Sequence, residues 1–196
     1  MKNNHITVIG LGYIGLPTAA ILAESGYKVR GVDISEDIVN KINNAETHFY
    51  EPDLDDLVRK NVSNGNLEAK KDTCSSDIFI ICVPTPFKFI EGNRSPDISY
   101  IDDAAKEISK HVKKGDLIIL ESTSPVGTTR KLAEKINLLI GNIDDIKFAY
   151  CPERVLPGNI IKELVNNDRI VGGLDDDATK NAVNFYKTFI NGSIHA

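Results

Sequence analysis

The chain has 196 residues, 41% of them hydrophobic, and its 23 Lys and Arg against 28 Asp and Glu leave a net charge of −5. That length fits one domain, or one and a fraction, able to bury about 70% of its unfolded surface, and the charge excludes the broad basic field that a nucleic-acid partner needs. No run reaches the ~18 apolar residues of a bilayer-spanning helix and the N-terminus lacks the apolar core of a signal peptide, so neither nucleic acid nor membrane is an expected partner and a cytoplasmic protein is expected.

The first element carries the strongest signal. Ile6-Thr7-Val8-Ile9 breaks on Gly10-Leu11-Gly12-Tyr13-Ile14-Gly15 and resumes with helical periodicity through Leu16-Pro17-Thr18-Ala19-Ala20-Ile21-Leu22-Ala23. This is the pattern of a strand near 5–10, a phosphate-binding turn and a helix near 13–25. Gly10 permits the sharp turn, Gly12 lets the backbone approach a pyrophosphate, and Gly15 allows the helix to pack closely on the strand. The helix start then offers free amides and roughly +0.5 of an elementary charge to the phosphates.

A second strand near 28–33 ends at Asp33, 18 residues past Gly15, close to the ~20-residue offset of a ribose-binding acid. A 2′-phosphate beside that carboxylate would cost about 3 kcal/mol per unit of like charge at ~5 Å and an effective dielectric of ~20. NAD is therefore expected over NADP. Arg30 has the opposite parity to Asp33 along the strand and so points away from the ribose, while Ser35 before Glu36-Asp37-Ile38-Val39 suits the cap of a helix near 35–43.

A helix near 53–63 opens on Pro52 and acids. Only Asn66-Leu67-Glu68-Ala69 is available for a third strand, which is expected to be short and at an edge. Further strands are predicted near 77–83, 116–121, 146–151 and 169–172, with helices near 101–111, 127–140 and 175–188. Val83-Pro84-Thr85-Pro86-Phe87 and the stretch from Glu91 to Pro96 read as loops, and Ser193-Ile194-His195 as the start of one more strand. Repeated β-α units of this kind build an α/β fold, a doubly wound parallel sheet of Rossmann type with strand order 3-2-1-4-5-6.

Three widely spaced cysteines, Cys74, Cys82 and Cys151, fit reduced thiols. Cys82, within Ile78-Phe79-Ile80-Ile81-Cys82-Val83, is expected to be a small core residue, and Cys151 to be structural, because no base stands near it in sequence. His5, His48, His111 and His195 show no metal-ligand spacing, so no metal is expected.

Ligands of such a sheet lie beyond the carboxyl ends of its strands. Gly10 to Gly15, Asp33, Val83 to Pro86, Glu121 to Gly127 and Cys151 to Gly158 should therefore share one edge. Val83, Pro84, Thr85, Ser122 and Thr123 are candidates for cofactor contact, and Glu153 and Arg154 offer a carboxylate and a fork-shaped cation.

Four of these stretches resemble one family. Gly10-Leu11-Gly12-Tyr13-Ile14-Gly15-Leu16-Pro17, Val83-Pro84-Thr85-Pro86, Glu121-Ser122-Thr123-Ser124-Pro125-Val126-Gly127-Thr128-Thr129 and Tyr150-Cys151-Pro152-Glu153-Arg154-Val155-Leu156-Pro157-Gly158 are similar to the NAD-binding half of the UDP-glucose/GDP-mannose dehydrogenases. The Cys-Pro-Glu-Arg-Val-Leu-Pro-Gly run most resembles the UDP-N-acetyl-D-mannosamine branch. The resemblance implies oxidation of a sugar C6 alcohol to a carboxylate with two NAD reduced, through a thiohemiacetal and a thioester. It also implies that Tyr13, Ile14, Asp33, Thr85 and Thr123 contact NAD, that Thr123 helps place a water, that Glu153 sits beside the reacting C6, and that Arg154 and Val155 touch the UDP-sugar.

In the family the nucleophilic cysteine, the catalytic lysine and asparagine, the central helix of the homodimer and the UDP-binding domain follow the stretch matched here. None of Cys74, Cys82 and Cys151 matches the nucleophile's motif. Residues 1–196 are thus expected to form an NAD-binding domain without those parts, one that cannot finish the four-electron oxidation alone. UDP-glucose, UDP-N-acetylglucosamine and GDP-mannose stay open as substrates, as does a non-catalytic nucleotide-binding module.

Overall fold

Ile78-Phe79-Ile80-Ile81 and Leu117-Ile118-Ile119-Leu120 are apolar on both sides of a pleated strand, so both faces of the sheet they join must be covered. The computed structural model describes residues 5–90, 92–141 and 143–196. In it Ile78, Ile80, Leu117 and Ile119 pack with Leu16, Leu22, Val58 and Tyr186 on one face, and Phe79, Ile81, Ile118 and Leu120 pack with Ile101, Ile108, Leu132 and Ile136 on the other.

The chain runs β1 (His5–Ile9), α1 (Gly15–Glu24), β2 (Lys28–Val32), α2 (Glu36–Asn43), α3 (Leu54–Ser63), β3 (Leu67–Lys70), β4 (Ile78–Ile81), β5 (Phe87–Ile90), β6 (Asn93–Pro96) and α4 (Ser99–Ser109). It continues through β7 (Leu117–Leu120), α5 (Thr128–Ile140), β8 (Lys147–Tyr150), α6 (Ile160–Asn166), β9 (Arg169–Ile170), β10 (Gly172–Gly173), α7 (Asp176–Tyr186) and β11 (Ile194–His195). The seven-stranded sheet has the order β10-β8-β7-β4-β1-β2-β3. Its pairs are parallel except β10 against β8. Apart from that added strand this is the expected 3-2-1-4-5-6 winding, with β3 the short edge strand. Ser35 caps α2, its hydroxyl accepting the amide of Ile38.

Three expectations need correction. Phe87 to Pro96 is an antiparallel hairpin turned at Gly92, not a pair of loops; Glu91 lies outside the described residues. The single strand near 169–172 is divided between two sheets, β9 pairing with β11 and β10 with β8. Gly173 lets β10 lie close against the first turn of α7, because a Cβ there would stand 2.3 Å from the amide nitrogen of Thr179. Helix α6 was unforeseen: seven residues show too little periodicity to stand out.

Candidate functional site

The crossover between β1 and β4 opens a cleft at the carboxyl edge of the sheet, where the strand order reverses. A cavity of about 740 Å³ lies there, lined among others by Gly10, Gly12, Tyr13, Ile14, Asp33, Val83, Pro84, Thr85, Ser122, Thr123 and Glu153. Loops after five strands thus bring together the predicted cofactor residues and the candidate acid, and the volume falls within the ~300–1,000 Å³ of ligand sites.

The glycine turn is shaped by contacts that a side chain would prevent. Gly10 has φ +88°, and a Cβ on it would lie 2.6 Å from the carbonyl oxygen of Cys82; one on Gly15 would lie 1.7 Å from the carbonyl oxygen of Gly10. Around a Cβ on Gly12 there is nothing within 4 Å among the described residues, so this glycine leaves open space rather than relieving a clash. Helix α1 has no side-chain cap and no acid in its first turn, which leaves its positive end available to an anion.

Asp33 is held rigidly beside that turn. Its Oδ2 accepts the Leu11 amide and its Oδ1 the Ser35 amide, each at 2.9 Å. A carboxylate has about four acceptor positions, so two remain for ribose hydroxyls. Arg30 turns away to Glu68, with Nη2 to Oε1 at 2.6 Å, as its strand parity requires. The open turn, the uncapped helix and the half-used carboxylate together fit NAD.

The hydroxyls divide by role. Ser122 is buried and donates to the carbonyl of Val83 at 2.8 Å, joining two cavity loops. Thr85 donates to the carbonyl of Thr123 at 2.7 Å, which leaves the exposed Thr123 side chain toward the opening.

Behind them lies a buried polar cluster that the sequence did not disclose. Glu121, 3% exposed, accepts from the Tyr186 hydroxyl at 2.7 Å, the Cys82 thiol at 3.3 Å and the Thr18 hydroxyl at 3.4 Å. Cys82 lines the cavity, contrary to a plain core role, because it is the residue at which β4 gives way to the loop. Burial pushes its thiol well above the ordinary value, with the Glu121 charge adding to the shift. Cys151 is fully buried, and burial pushes its thiol up to about 12, in keeping with a structural residue.

Glu153 stands where this cluster meets the cavity. Burial raises its carboxyl to about 7, with Glu121 adding and Arg169 opposing. Its Oε2 is buried without a hydrogen-bond partner among the described residues. A carboxyl near 7 exchanges a proton readily at neutral pH, which suits an acid-base role. The folded chain holds this proton more tightly than the unfolded chain, whose glutamates ionise near 4.5. Its contribution to stability is therefore full below about pH 4.5 and is lost as the pH rises through about 7. Denaturant melts between these limits should show this decline, and Glu153→Gln should flatten it; an unchanged slope would refute the assignment.

Arg154 and Val155 do not line the large cavity. They face a second one of about 320 Å³ with Pro152, Glu163, Asn167, Asp168 and Arg169. The loop that carries them is held by a residue sequence reasoning missed: Glu51, 3% exposed, accepts the amides of Gly158 at 2.8 Å and Ile160 at 2.7 Å. Among the described residues no group of His, Cys, Asp and Glu is arranged to hold a metal ion, and no helix is long and apolar enough to cross a membrane.

Residues 4–190 match the model of the UDP-glucose/GDP-mannose dehydrogenase family, NAD binding domain. The UDP-N-acetyl-D-mannosamine dehydrogenase of Campylobacter jejuni is 51% identical over 96% of this chain and 48% of its own length. An NDP-N-acetyl-D-galactosaminuronic acid dehydrogenase of Ralstonia nicotianae is 48% identical over 95% of this chain and 46% of its own. The solved UDP-D-ManNAc dehydrogenase of Pyrococcus horikoshii superposes with a TM-score of 0.92 at 42% identity, covering 97% of this chain and 46% of that one. The chain thus spans about half the length of the curated relatives it matches.

Proposed function

The chain belongs to the UDP-glucose/GDP-mannose dehydrogenase family, as its NAD-binding domain, and from that membership we propose that it serves the oxidation of UDP-N-acetyl-D-mannosamine at C6 to the carboxylate, with two NAD reduced. The observation that carries this reading is the presence of Glu153, proton-bearing near neutrality, in the same cavity as the glycine turn and Asp33. A second reading, an N-acetylgalactosamine nucleotide as substrate, is supported by the Ralstonia relative.

Bound NAD supplies the hydride acceptor. The amides after Gly10 and the positive end of α1 take its pyrophosphate, Asp33 its ribose, and Thr85, Ser122 and Thr123 shape the opening on the reacting side. Glu153 takes or holds a proton beside C6, Thr123 helps place a water, and Arg154 and Val155 meet the UDP-sugar at the edge of the loop. The cytoplasm as location and a homodimer as assembly belong to the same reading.

On its own the chain is expected to bind NAD without completing the oxidation. Burial holds the Cys82 and Cys151 thiols in the unreactive protonated form, and Cys74 does not line the cofactor cavity. Calorimetry should show NAD binding at least ~100-fold tighter than NADP, the factor of the charge argument at Asp33, with Asp33→Ala narrowing the gap. Equal binding of NADP would refute the cofactor assignment. With NAD and UDP-N-acetyl-D-mannosamine no sustained NADH absorbance should develop, and robust turnover would show that a nucleophile is present. Saturation-transfer NMR on the NAD-loaded chain should rank UDP-N-acetyl-D-mannosamine above UDP-glucose and GDP-mannose; the reverse order would overturn the substrate.

A further inference from the structure

Glu121, at the carboxyl end of β7, is 3% exposed and lines the large cavity. A glutamate is almost never buried so completely unless it is paired. The Tyr186 hydroxyl donates to its Oε1 at 2.7 Å, and the Cys82 thiol and Thr18 hydroxyl donate to its Oε2 at 3.3 Å and 3.4 Å. All three neighbours are donors, so the carboxyl receives hydrogen bonds and gives none, the pattern of the ionised form. What it lacks is a cation. Among the described residues no ion pair reaches it. Arg169, the buried cation of this region, stands 5.9 Å from the centre of the Tyr186 ring and donates to the carbonyl of Leu164 at 3.1 Å. A buried anion without a cation is costly, and the cavity is the place from which a ligand brings one.

The fold decides which part of the cofactor meets Glu121. The start of α1 takes the pyrophosphate and Asp33, after β2, the adenosine ribose, so the second nucleoside crosses to the other half of the sheet. In the order β7-β4-β1-β2 the end of β7 lies on the far side of the glycine turn from Asp33. The oxidised nicotinamide ring carries one positive charge and is neutral once reduced, while the adenine, riboses and pyrophosphate are the same in both forms. A difference in affinity between NAD and NADH therefore reports on the charges around the ring, with the contributions of Asp33 and the glycine turn cancelled.

We propose that Glu121 is the residue by which this domain distinguishes oxidised from reduced cofactor: a fixed anion facing the nicotinamide that holds NAD more tightly than NADH. This rests on the reading that the chain serves an oxidation with two NAD. In each of the two steps a sugar C–H bond breaks, its hydrogen and electron pair pass to the ring, and the hydroxyl proton leaves toward Glu153. The ring is neutral afterwards, its attraction to Glu121 is gone, and the charge that drew NAD in also favours replacement of the spent cofactor before the second step.

Calorimetry of NAD and NADH on the unmodified chain reads the preference without turnover. At pH 6 the Glu153 carboxyl, with its midpoint near 7, is mostly uncharged, so Glu121 supplies the standing anion. NAD should bind ~10-fold tighter than NADH, the factor that opposite unit charges ~10 Å apart give at an effective dielectric of ~20. Glu121→Gln should remove most of that factor by weakening NAD, with the affinity for NADH little changed. NADH bound as tightly as NAD by the unmodified chain would overturn the proposal, an outcome that requires no variant to fold. A full preference surviving in a folded Glu121→Gln chain would overturn it too. Failure of the cofactor assignment would appear instead as equal binding of NADP and NAD, and failure of the substrate reading as a reversed ranking of the nucleotide sugars; neither alters the comparison of oxidised with reduced cofactor.

Discussion

Glu51→Ala is expected to lower the stability of the fold by about 2 kcal/mol, or roughly 6 °C in melting temperature for a chain of this size. The carboxylate is 3% exposed and its only described partners are the Gly158 and Ile160 amides, more than a hundred positions away in sequence. Alanine leaves the buried Ile160 amide unpaired at the start of α6, while the amide of the exposed Gly158 turns to water. Glu51→Gln should cost about half as much, since one amide keeps an acceptor while the other faces the Gln amino group. The loss should also be felt at the site. With one end of the 152–160 loop released, Glu153 gains water and should titrate closer to the ordinary 4.5 than to 7. Thermal melts and a carbon-13 NMR titration of labelled glutamate side chains measure the two effects; an alanine variant that melts within a degree or two of the unmodified chain would refute the clamp.

This clamp marks a boundary in what the sequence discloses. The turn from Gly10 to Gly15, Asp33 and the Ser35 cap were legible because each acts on neighbours a few positions away, with a spacing that reports its geometry. The parallel winding was legible because buried strands and amphipathic helices alternate without interruption. Glu51 was not: it stands between Tyr50 and Pro52 with nothing local to show that its partners lie beyond Tyr150. Arg169 and Tyr186 were hidden in the same way. Arg169 lies in the strand predicted near 169–172, where the exposed residue of the pair is Ile170, at 56%, and the buried one is Arg169. Tyr186 lies in the helix predicted near 175–188, and only the fold brings its hydroxyl to Glu121. The hairpin from Phe87 to Pro96 escaped for another reason. Phe87 and Phe89 are 70% and 71% exposed, so its strands bury no face and carry no alternation tied to a core.

Two glycines of the same motif are expected to fail in opposite ways. Gly15→Ala forces a Cβ to within 1.7 Å of the Gly10 carbonyl oxygen and 3.1 Å of the Cys82 Cβ. Neither the turn nor the strand end can yield through a side-chain rotation, so α1 must move, with a stability loss of about 3 kcal/mol. NAD affinity should fall at least ~100-fold with it, because the amides no longer converge on one point. Gly12→Ala meets nothing within 4 Å among the described residues and should leave the melting temperature within about 2 °C of the unmodified value. Its methyl group stands instead in the space through which the pyrophosphate approaches the backbone, and NAD affinity should still fall by ~10-fold or more. Calorimetry and thermal melts on the two variants therefore separate the parts of the motif: Gly15 keeps the turn foldable, and Gly12 keeps it open to the ligand. A folded Gly12→Ala chain that binds NAD with undiminished affinity would remove the pyrophosphate from this turn, and with it the reason for the second glycine in the spacing.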